Sequence, residues 1–394
     1  MQTTTVPEIG GPDLSLGEAA SALSFGVVSL LFAGVLPALL GALGDENRLS
    51  AAGFGWCAAL EALSMGSATA LAGMLLPPRH LRAIALAGTL ALAIVDFACI
   101  GASGSAILLL RALAGIAEGT LLWISVGMIA RTETPERWAG IFFIASTAAQ
   151  LALALAFAFI AIPRFGADGG FAVLGATTLF GVATVATCPQ HYGPLPGGDD
   201  AAAGAPPVRG WVALFATLLY VAAGGAVGIY LQPLAHQAGL TADVARTALW
   251  TSLAAQIAGA MTATAVAGRV RYFTAFLAGT VVFLGTWAVF AFPVPAWAFI
   301  AANTAGGFAS VFIAPFLVPM TIEADPSRRA ALQSAGAQLL AGALGPLTAA
   351  RLVSDNDVHG ALTLGTIFLL CGMSVIAALH FLAVRDRASA LQQA

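Results

Sequence analysis

Two ionisable residues in one apolar segment are the strongest candidates for chemistry. Arg111 and Glu118 lie seven residues apart in the stretch RALAGIAEG, with Gly115 between them. Seven residues make about two helical turns, so both side chains are predicted on one helix face, about 10 Å apart along the axis. At that separation a direct ion pair forms only if both side chains reach toward each other, and Gly115 is expected to leave room for a solute or a neighbouring helix.

Such a pair suits proton coupling. The proton affinity of a buried carboxyl depends on the charges beside it, so a nearby arginine or a bound solute changes it. We therefore predict that Glu118 is the protonatable group and that Arg111 tunes it or holds a solute. A purely structural pair within one helix bundle is the alternative.

Two further acids interrupt apolar segments, Glu61 and Asp96. A charged side chain at membrane depth costs about 2.5–3.5 kcal/mol on insertion scales, so each is a functional candidate by default. Glu61 is assigned to proton coupling with Glu118 and Arg111, while a structural role stays equally open for it. Asp96 is predicted to satisfy a neighbouring helix, as the family resemblance described below implies for an acid in the third span.

Uncharged polar and aromatic residues form a second set. An apolar cavity with a few convergent donors and acceptors is what a small-molecule site needs. The alternative for each is an interhelical hydrogen bond, worth about 0.6 kcal/mol. Gln150 and Gln338 occupy matching positions of a repeat described below and are expected to face each other. The predicted substrate-binding residues are Gln150, Gln338, Tyr220, Tyr230, Gln232, Gln256, Asn303 and Trp123.

Several kinds of chemistry find no support in the sequence. The four cysteines, Cys57, Cys99, Cys188 and Cys371, show no metal-binding spacing. The motifs GxGxxG, GxxxxGK[ST], HExxH and GxSxG are absent, which argues against nucleotide binding and hydrolysis. We predict no catalytic residues, no metal, no cofactor and no nucleic-acid partner, and hence no enzyme.

The elements that position these residues are membrane helices. Of 394 residues, 59% are hydrophobic and only 9% are charged, too few for a soluble surface. A spanning helix needs about 20 mostly apolar residues. Twelve segments qualify, at about 18–43, 53–75, 83–104, 105–130, 139–162, 170–188, 211–236, 243–268, 271–292, 295–320, 331–353 and 361–383.

The segments divide six against six. Residues 189–210 are rich in Pro, Gly, Ala and Asp and are predicted to form a flexible cytoplasmic linker between bundles 1–188 and 211–394. Eleven arginines fall in the even-numbered loops, linker and C-terminus, against four in the odd-numbered loops. This bias predicts that both termini lie in the cytoplasm.

The halves repeat each other. SATALAG at Ser67–Gly73 returns as TATAVAG at Thr262–Gly268, and STAAQL at Ser146–Leu151 returns as SAGAQL at Ser334–Leu339. Pro37 matches Pro233 in the same register, which predicts paired kinks in the first and seventh spans. A duplicated bundle related by a two-fold axis along the membrane normal is typical of one class of secondary transporters.

Twelve spans, the duplication and the cytoplasmic linker resemble the major facilitator superfamily, and RALAGIAEG resembles that family's fourth-helix motif. The usual charged motif G-x-x-x-D-R-x-G-R-R after the second span reads GMLLPPRHLR here, with Pro77 and Pro78 in place of its aspartate and first arginine. The glycine-rich antiporter motif is absent from the fifth span, although Gly345-Pro346 occurs in the eleventh.

The resemblance implies alternating access to a site between two bundles. We predict a monomeric, multi-pass protein of a bacterial inner membrane that moves a small organic solute, with protons as the coupling ion and uptake favoured. The substrate is expected to be neutral or singly charged and aromatic or amphipathic. A proton-driven exporter of drugs or metabolites is the alternative, and an intramembrane enzyme or receptor is a weaker one.

Overall fold

The protein is built almost entirely from helices. A computed structural model describes residues 14–49, 51–195, 205–349, 351–353 and 357–393. Nine segments are long and apolar enough to cross a membrane within this part of the chain, and one of them, Pro135–Val185, has 51 residues, enough for two crossings. Helices Ala242–Val266 and Arg329–Ala349 are also long enough to cross, although they fall outside that set.

The predicted twelve-helix fold is confirmed. The helices of the first half are α1 (Leu16–Ser29 and Leu31–Asp45), α2 (Ala51–Leu75), α3 (Leu81–Ala98), α4 (Ser105–Ile129), α5 (Pro135–Ala156, continued by a π-turn at Phe157–Ala161) and α6 (Ile162–Val185). Those of the second half are α7 (Val208–Gly228 and Leu231–Gln237), α8 (Ala242–Val266), α9 (Tyr272–Phe290), α10 (Ala296–Ile313, continued through Ala314–Phe316 to Leu317–Ala324), α11 (Arg329–Ala349) and α12 (His359–Gln393).

Backbone breaks set the ends and bends of three helices. Gly166, with φ 62° and ψ −154°, breaks α6 near its start. The first and seventh helices are interrupted at Leu30 (φ −102°) and Tyr230 (φ −95°). The breaks therefore precede Pro37 and Pro233, where kinks were expected. Pro233 is the third residue of its segment, where a missing backbone N–H costs little.

The two halves repeat one helix contact. A Cβ atom on Gly115 of α4 would lie 2.1 Å from Ser64 Oγ of α2, and one on Gly307 of α10 would lie 2.1 Å from Ser252 Oγ of α8. Only glycine lets the backbones approach this closely. The match between α2–α4 and α8–α10 is what an internal duplication predicts.

Contacts between the halves lie on one side, which we call the linker side because the chain crosses there from α6 to α7. A Cβ on Gly336 of α11 would lie 2.8 Å from the carbonyl oxygen of Gly66 in α2, and one on Gly140 of α5 would lie 2.1 Å from Thr264 Oγ1 of α8. Arg328 Nη1 donates to the carbonyl oxygen of Ala130 in the other half at 2.7 Å. These contacts close the linker side.

The halves diverge toward the opposite side, which we call the far side. Leu151 and Leu253 lie eleven residues from Gly140 and Thr264, about three helical turns along the same helix faces. Their side chains are nevertheless 40% and 36% exposed. The α5–α8 contact is therefore not continued at that level, and the space between the halves opens toward the far side.

The first part of the linker is packed against the first half, which differs from the expectation of a flexible segment. Tyr192 N donates to the Pro78 carbonyl at 3.0 Å, and Leu81 N donates to the Gln190 carbonyl at 3.0 Å. Tyr192 and Leu195 are buried. Residues 189–195 thus cover the loop in which Pro77 and Pro78 replace the charged motif, while residues 196–204 lie outside the described part.

Candidate functional site

Arg111 of α4 lies at the centre of a buried group of acids. Its side chain is fully buried, and its guanidinium binds Glu61 of α2 through two hydrogen bonds, Nε to Oε2 at 2.9 Å and Nη2 to Oε1 at 2.7 Å. A planar guanidinium matches a carboxylate in this way because both present two parallel bonding sites. Glu61 is thereby fixed against α4.

Two other acids complete the group. Arg111 Nη1 donates to Asp96 Oδ1 of α3 at 2.7 Å, and Arg111 Nη2 donates to Glu118 Oε1 at 3.1 Å. Arg111 and Glu118 therefore reach each other across two turns of α4. All four side chains are buried. We call Glu61, Asp96, Arg111 and Glu118 the Arg111 cluster.

Gly115 makes room for a neighbouring helix, which is one of the two roles expected for it. A Cβ there would lie 2.6 Å from the carbonyl oxygen of Glu61 and 3.0 Å from the backbone nitrogen of Met65. The space beside Gly115 is therefore filled by the backbone of α2, and no room is left for a solute. Close approach of α2 is what brings Glu61 within reach of Arg111.

Neighbouring helices complete the surroundings of the cluster. Thr178 Oγ1 of α6 donates to Asp96 Oδ2 at 3.1 Å. The Phe32 ring of α1 lies 3.6 Å from Arg111 Cζ, a cation–π contact that shields the guanidinium. Five helices of the first half thus meet at the Arg111 cluster.

The Arg111 cluster contains more acidic than basic groups. Three carboxyl groups surround one guanidinium. Buried charge that is not balanced is costly, which favours holding protons here.

A cavity of about 150 Å³ lies between the halves. We call it the central cavity. Its walls are mostly aliphatic and aromatic, and no ionisable side chain is among its lining residues. They are Leu30, Leu122, Val126, Ile129, Ala139, Phe142 and Phe143 from the first half, and Ala314, Val318, Ser334, Ala335, Gln338 and Leu339 from the second.

The polar groups of the central cavity come from α11. Gln338 and Ser334 line it, with Gln338 Nε2 3.4 Å from Ser334 Oγ. Gln150, the repeat partner of Gln338, donates from Nε2 to the Leu30 carbonyl at 2.8 Å, at the break in α1. Gln338 thus lines the cavity directly, whereas Gln150 holds the Leu30 backbone at its opposite wall.

The cluster and the cavity are neighbours on α4. Glu118 precedes the cavity-lining Leu122 by four residues, one helical turn or about 6 Å. Both acid and leucine are buried on the side of α4 that faces the bundle. Glu118 is therefore separated from the cavity wall by a single turn of helix.

The other predicted substrate-binding residues lie apart from the central cavity. Tyr220 Oη contacts the Phe276 carbonyl at 3.2 Å inside the second half, and Asn303 Nδ2 donates to the Ala248 carbonyl at 2.8 Å. Trp123 is buried and lines a smaller cavity on the linker side. Tyr230 lies at the break in α7. Gln256 is half-buried on α8, and the Gln232 side chain lies outside the described part.

Sequence reasoning undervalued three members of the site. Asp96 was detectable as an acid in an apolar segment, and only its position on a third helix argued for a supporting role. Phe32 and Thr178 carried no signal, because a phenylalanine and a threonine are ordinary residues of membrane helices. Their contacts with Arg111 and Asp96 depend on how α1 and α6 pack.

Comparisons with known proteins support the fold. No family model and no curated protein sequence matches the chain. Among solved structures, the major facilitator superfamily transporter FucP in its outward conformation matches with a TM-score of 0.72 and 13% identity, over 92% of this chain and 98% of that one. The proton:xylose symporter XylE matches at 0.67 and 14% identity, over 92% and 94%.

A human protein shows the same likeness. The organic anion transporter TETRAN matches with a TM-score of 0.66 and 15% identity, over 93% of this chain and 99% of that one. Identities this low establish a shared fold and carry no substrate across. The twelve helices of this chain therefore have the arrangement found in those transporters.

Proposed function

We propose that this chain, which has the fold of the major facilitator superfamily, is a secondary transporter that moves a small organic solute across a membrane by alternating access. The observation that carries the proposal is the central cavity, which both halves line and which the α2–α11 and α5–α8 contacts close on the linker side. A site between two halves that separate on one side at a time is the basis of alternating access.

Protons are the proposed coupling ion. Glu118 and Glu61 would carry the proton, and Arg111 would set the affinity of both, as predicted from the sequence. Asp96 joins them because it binds the same guanidinium. The cavity wall at Leu122 lies one helical turn from Glu118 and would move when the halves open and close. This movement would link protonation of Glu118 to solute occupancy.

The lining of the cavity supports an uncharged, largely apolar solute. Phe142 and Phe143 offer aromatic surface, and Gln338 and Ser334 offer one set of hydrogen-bonding groups. A charged solute would lose its hydration without a compensating charge on the lining, at high cost. A neutral solute with an aromatic ring and one amide or hydroxyl group fits these walls best.

We further propose a bacterial inner-membrane location with both termini in the cytoplasm, and a monomeric state. The arginine bias of the loops supports the orientation. The linker side is then cytoplasmic, and the structure represents a state open to the outside. Uptake is favoured, and export of drugs or metabolites is the alternative direction.

Transport into proteoliposomes tests the proposal. Purified protein would be reconstituted into proteoliposomes. The vesicles would be loaded with unlabelled candidate solutes of the class above and assayed for counterflow of the labelled solute. We expect accumulation of label without a gradient, and a pH gradient should drive net movement in one direction. Turnover of a solute into a new chemical species, without vectorial movement, would instead support the enzyme alternative.

A further inference from the structure

We propose that the closed linker side contains a binding site for a single small anion of the halide class, with chloride as the physiological ligand. The site is a second, smaller cavity, separate from the central one, with a volume of roughly 10 Å³, enough for about one small particle. Trp123, Gly127 and Arg131 of the first half and Leu332 of the second line it. Nothing in the proposed transport mechanism uses this space.

Arg131 provides a buried positive charge. The residue is only 8% exposed, and its guanidinium donates from Nη1 to the Gly127 carbonyl and from Nε to the Gly193 carbonyl, both at 2.8 Å. The Tyr192 ring lies 5.1 Å from Cζ. No carboxylate pairs with Arg131 in the described part of the chain, and Nη2 has no partner there. Burial lowers the pKa of Arg131 to about 10, so the group stays charged at neutral pH.

Gln333 of α11 is an independent sign of a missing partner. Its side chain is 2% exposed, and neither Nε2 nor Oε1 has a hydrogen-bond partner among the described residues. Gln333 is not itself a lining residue, but it follows the lining Leu332, and its Nε2 would lie 2.7 Å from a Cβ on Gly73, which also lines the cavity. An unsatisfied buried amide destabilises the fold, so a ligand that accepts from Nε2 offsets this cost.

The surroundings favour an anion over a neutral ligand. Arg328 of the second half also lacks a carboxylate partner in the described residues, and its Nη1 donates to the carbonyls of Ala130 and Thr132 at 2.7 and 2.9 Å. Arg328 thus ties the second half to the backbone on both sides of Arg131. Donor groups and uncompensated positive charge are what a small anion needs, and the size of the cavity excludes sulfate and phosphate.

The site exists only while the linker side is closed, because α4 and α11 belong to different halves. A ligand that binds one conformation shifts the population toward it. Bound chloride would therefore stabilise the state seen here, and separation of α11 from α2 and α4 would release it.

The test is a chloride dependence of thermal unfolding, measured on the purified full-length protein in nanodiscs. Sodium chloride would replace sodium gluconate at constant ionic strength. We expect chloride and bromide to raise the unfolding midpoint by at least about 2 °C, with no effect of sulfate. Arg131→Gln and Gln333→Leu should each abolish the shift, and the exposed Arg137→Gln should keep it.

A second measurement does not depend on the stability of the variants. Crystals of the wild type grown in sodium bromide should show a bromide anomalous peak within hydrogen-bond distance of Arg131. An equal midpoint in chloride and gluconate, an equal shift with sulfate, or density for a water molecule alone would overturn the proposal. Because both readouts measure binding, they stand apart from the outcome of any transport assay.

Discussion

Arg111 and Glu61 are joined by two hydrogen bonds, at 2.9 and 2.7 Å, that tie α4 to α2 in the interior of the first half. The same guanidinium holds Asp96 and Glu118, so one residue bears the counter-charge for three acids. Arg111 therefore holds the three acids in place, and its positive charge sets how strongly the cluster binds a proton.

Loss of Arg111 should therefore destabilise the protein strongly. Removing one partner from a buried ion pair leaves an uncompensated charge and costs about 3–5 kcal/mol, so Arg111→Gln should lower the unfolding midpoint substantially. Arg111→Lys keeps the charge but loses the paired geometry. Its unfolding midpoint should lie between those of the wild type and Arg111→Gln. Arg209→Gln, at an exposed pair with Asp386, is the control and should change little. Thermal unfolding in nanodiscs measures all three.

Replacing Glu118 should separate proton coupling from solute movement. Glu118→Gln keeps the shape and the bond to Arg111 but cannot ionise. We expect accumulation driven by a pH gradient to fall by about tenfold or more, because the free energy of moving one charge across the membrane corresponds to at least that factor. Counterflow should persist. Thr178→Val, which removes a hydrogen bond to Asp96 only, is the control and should retain gradient-driven uptake. Unchanged pH dependence in Glu118→Gln would remove this residue from the coupling role.

The fold was largely predictable, because an apolar segment long enough to span a membrane and an arginine-rich loop can each be recognised from one stretch of sequence. The membership of the Arg111 cluster was partly predictable, since each ionisable residue stood out against its apolar surroundings. How the four residues share hydrogen bonds was not predictable, because it depends on the α2–α4 approach at Gly115. The packing of Tyr192 over the α2–α3 loop was equally hidden, since Pro- and Gly-rich composition predicts a linker and not its docking site.

Wedging α2 and α11 apart should open the linker side. A Cβ on Gly336 would lie 2.8 Å from the Gly66 carbonyl, whereas one on Gly342 of the same helix meets nothing within 4 Å. Gly336→Val should therefore shift the population away from the state seen here, and Gly342→Val should not. The measurement is the labelling rate of a cysteine placed at Ala335, in a background without the four native cysteines, by a thiol reagent added on the linker side. We expect a several-fold faster rate in Gly336→Val alone.

Gln338 should contribute directly to solute affinity. It is one of two polar side chains on the central cavity, and a single hydrogen bond is worth about 0.5–1.5 kcal/mol, so Gln338→Leu should raise the half-saturation concentration of counterflow by about two- to tenfold. Tyr220→Phe is the matched control, because its hydroxyl bonds only inside the second half and should leave that concentration unchanged. An analogue of the solute that lacks its amide or hydroxyl group should bind the wild type and Gln338→Leu equally, since neither then forms the bond. A larger loss in Tyr220→Phe than in Gln338→Leu would move the solute site away from α11 and toward α7 and α9.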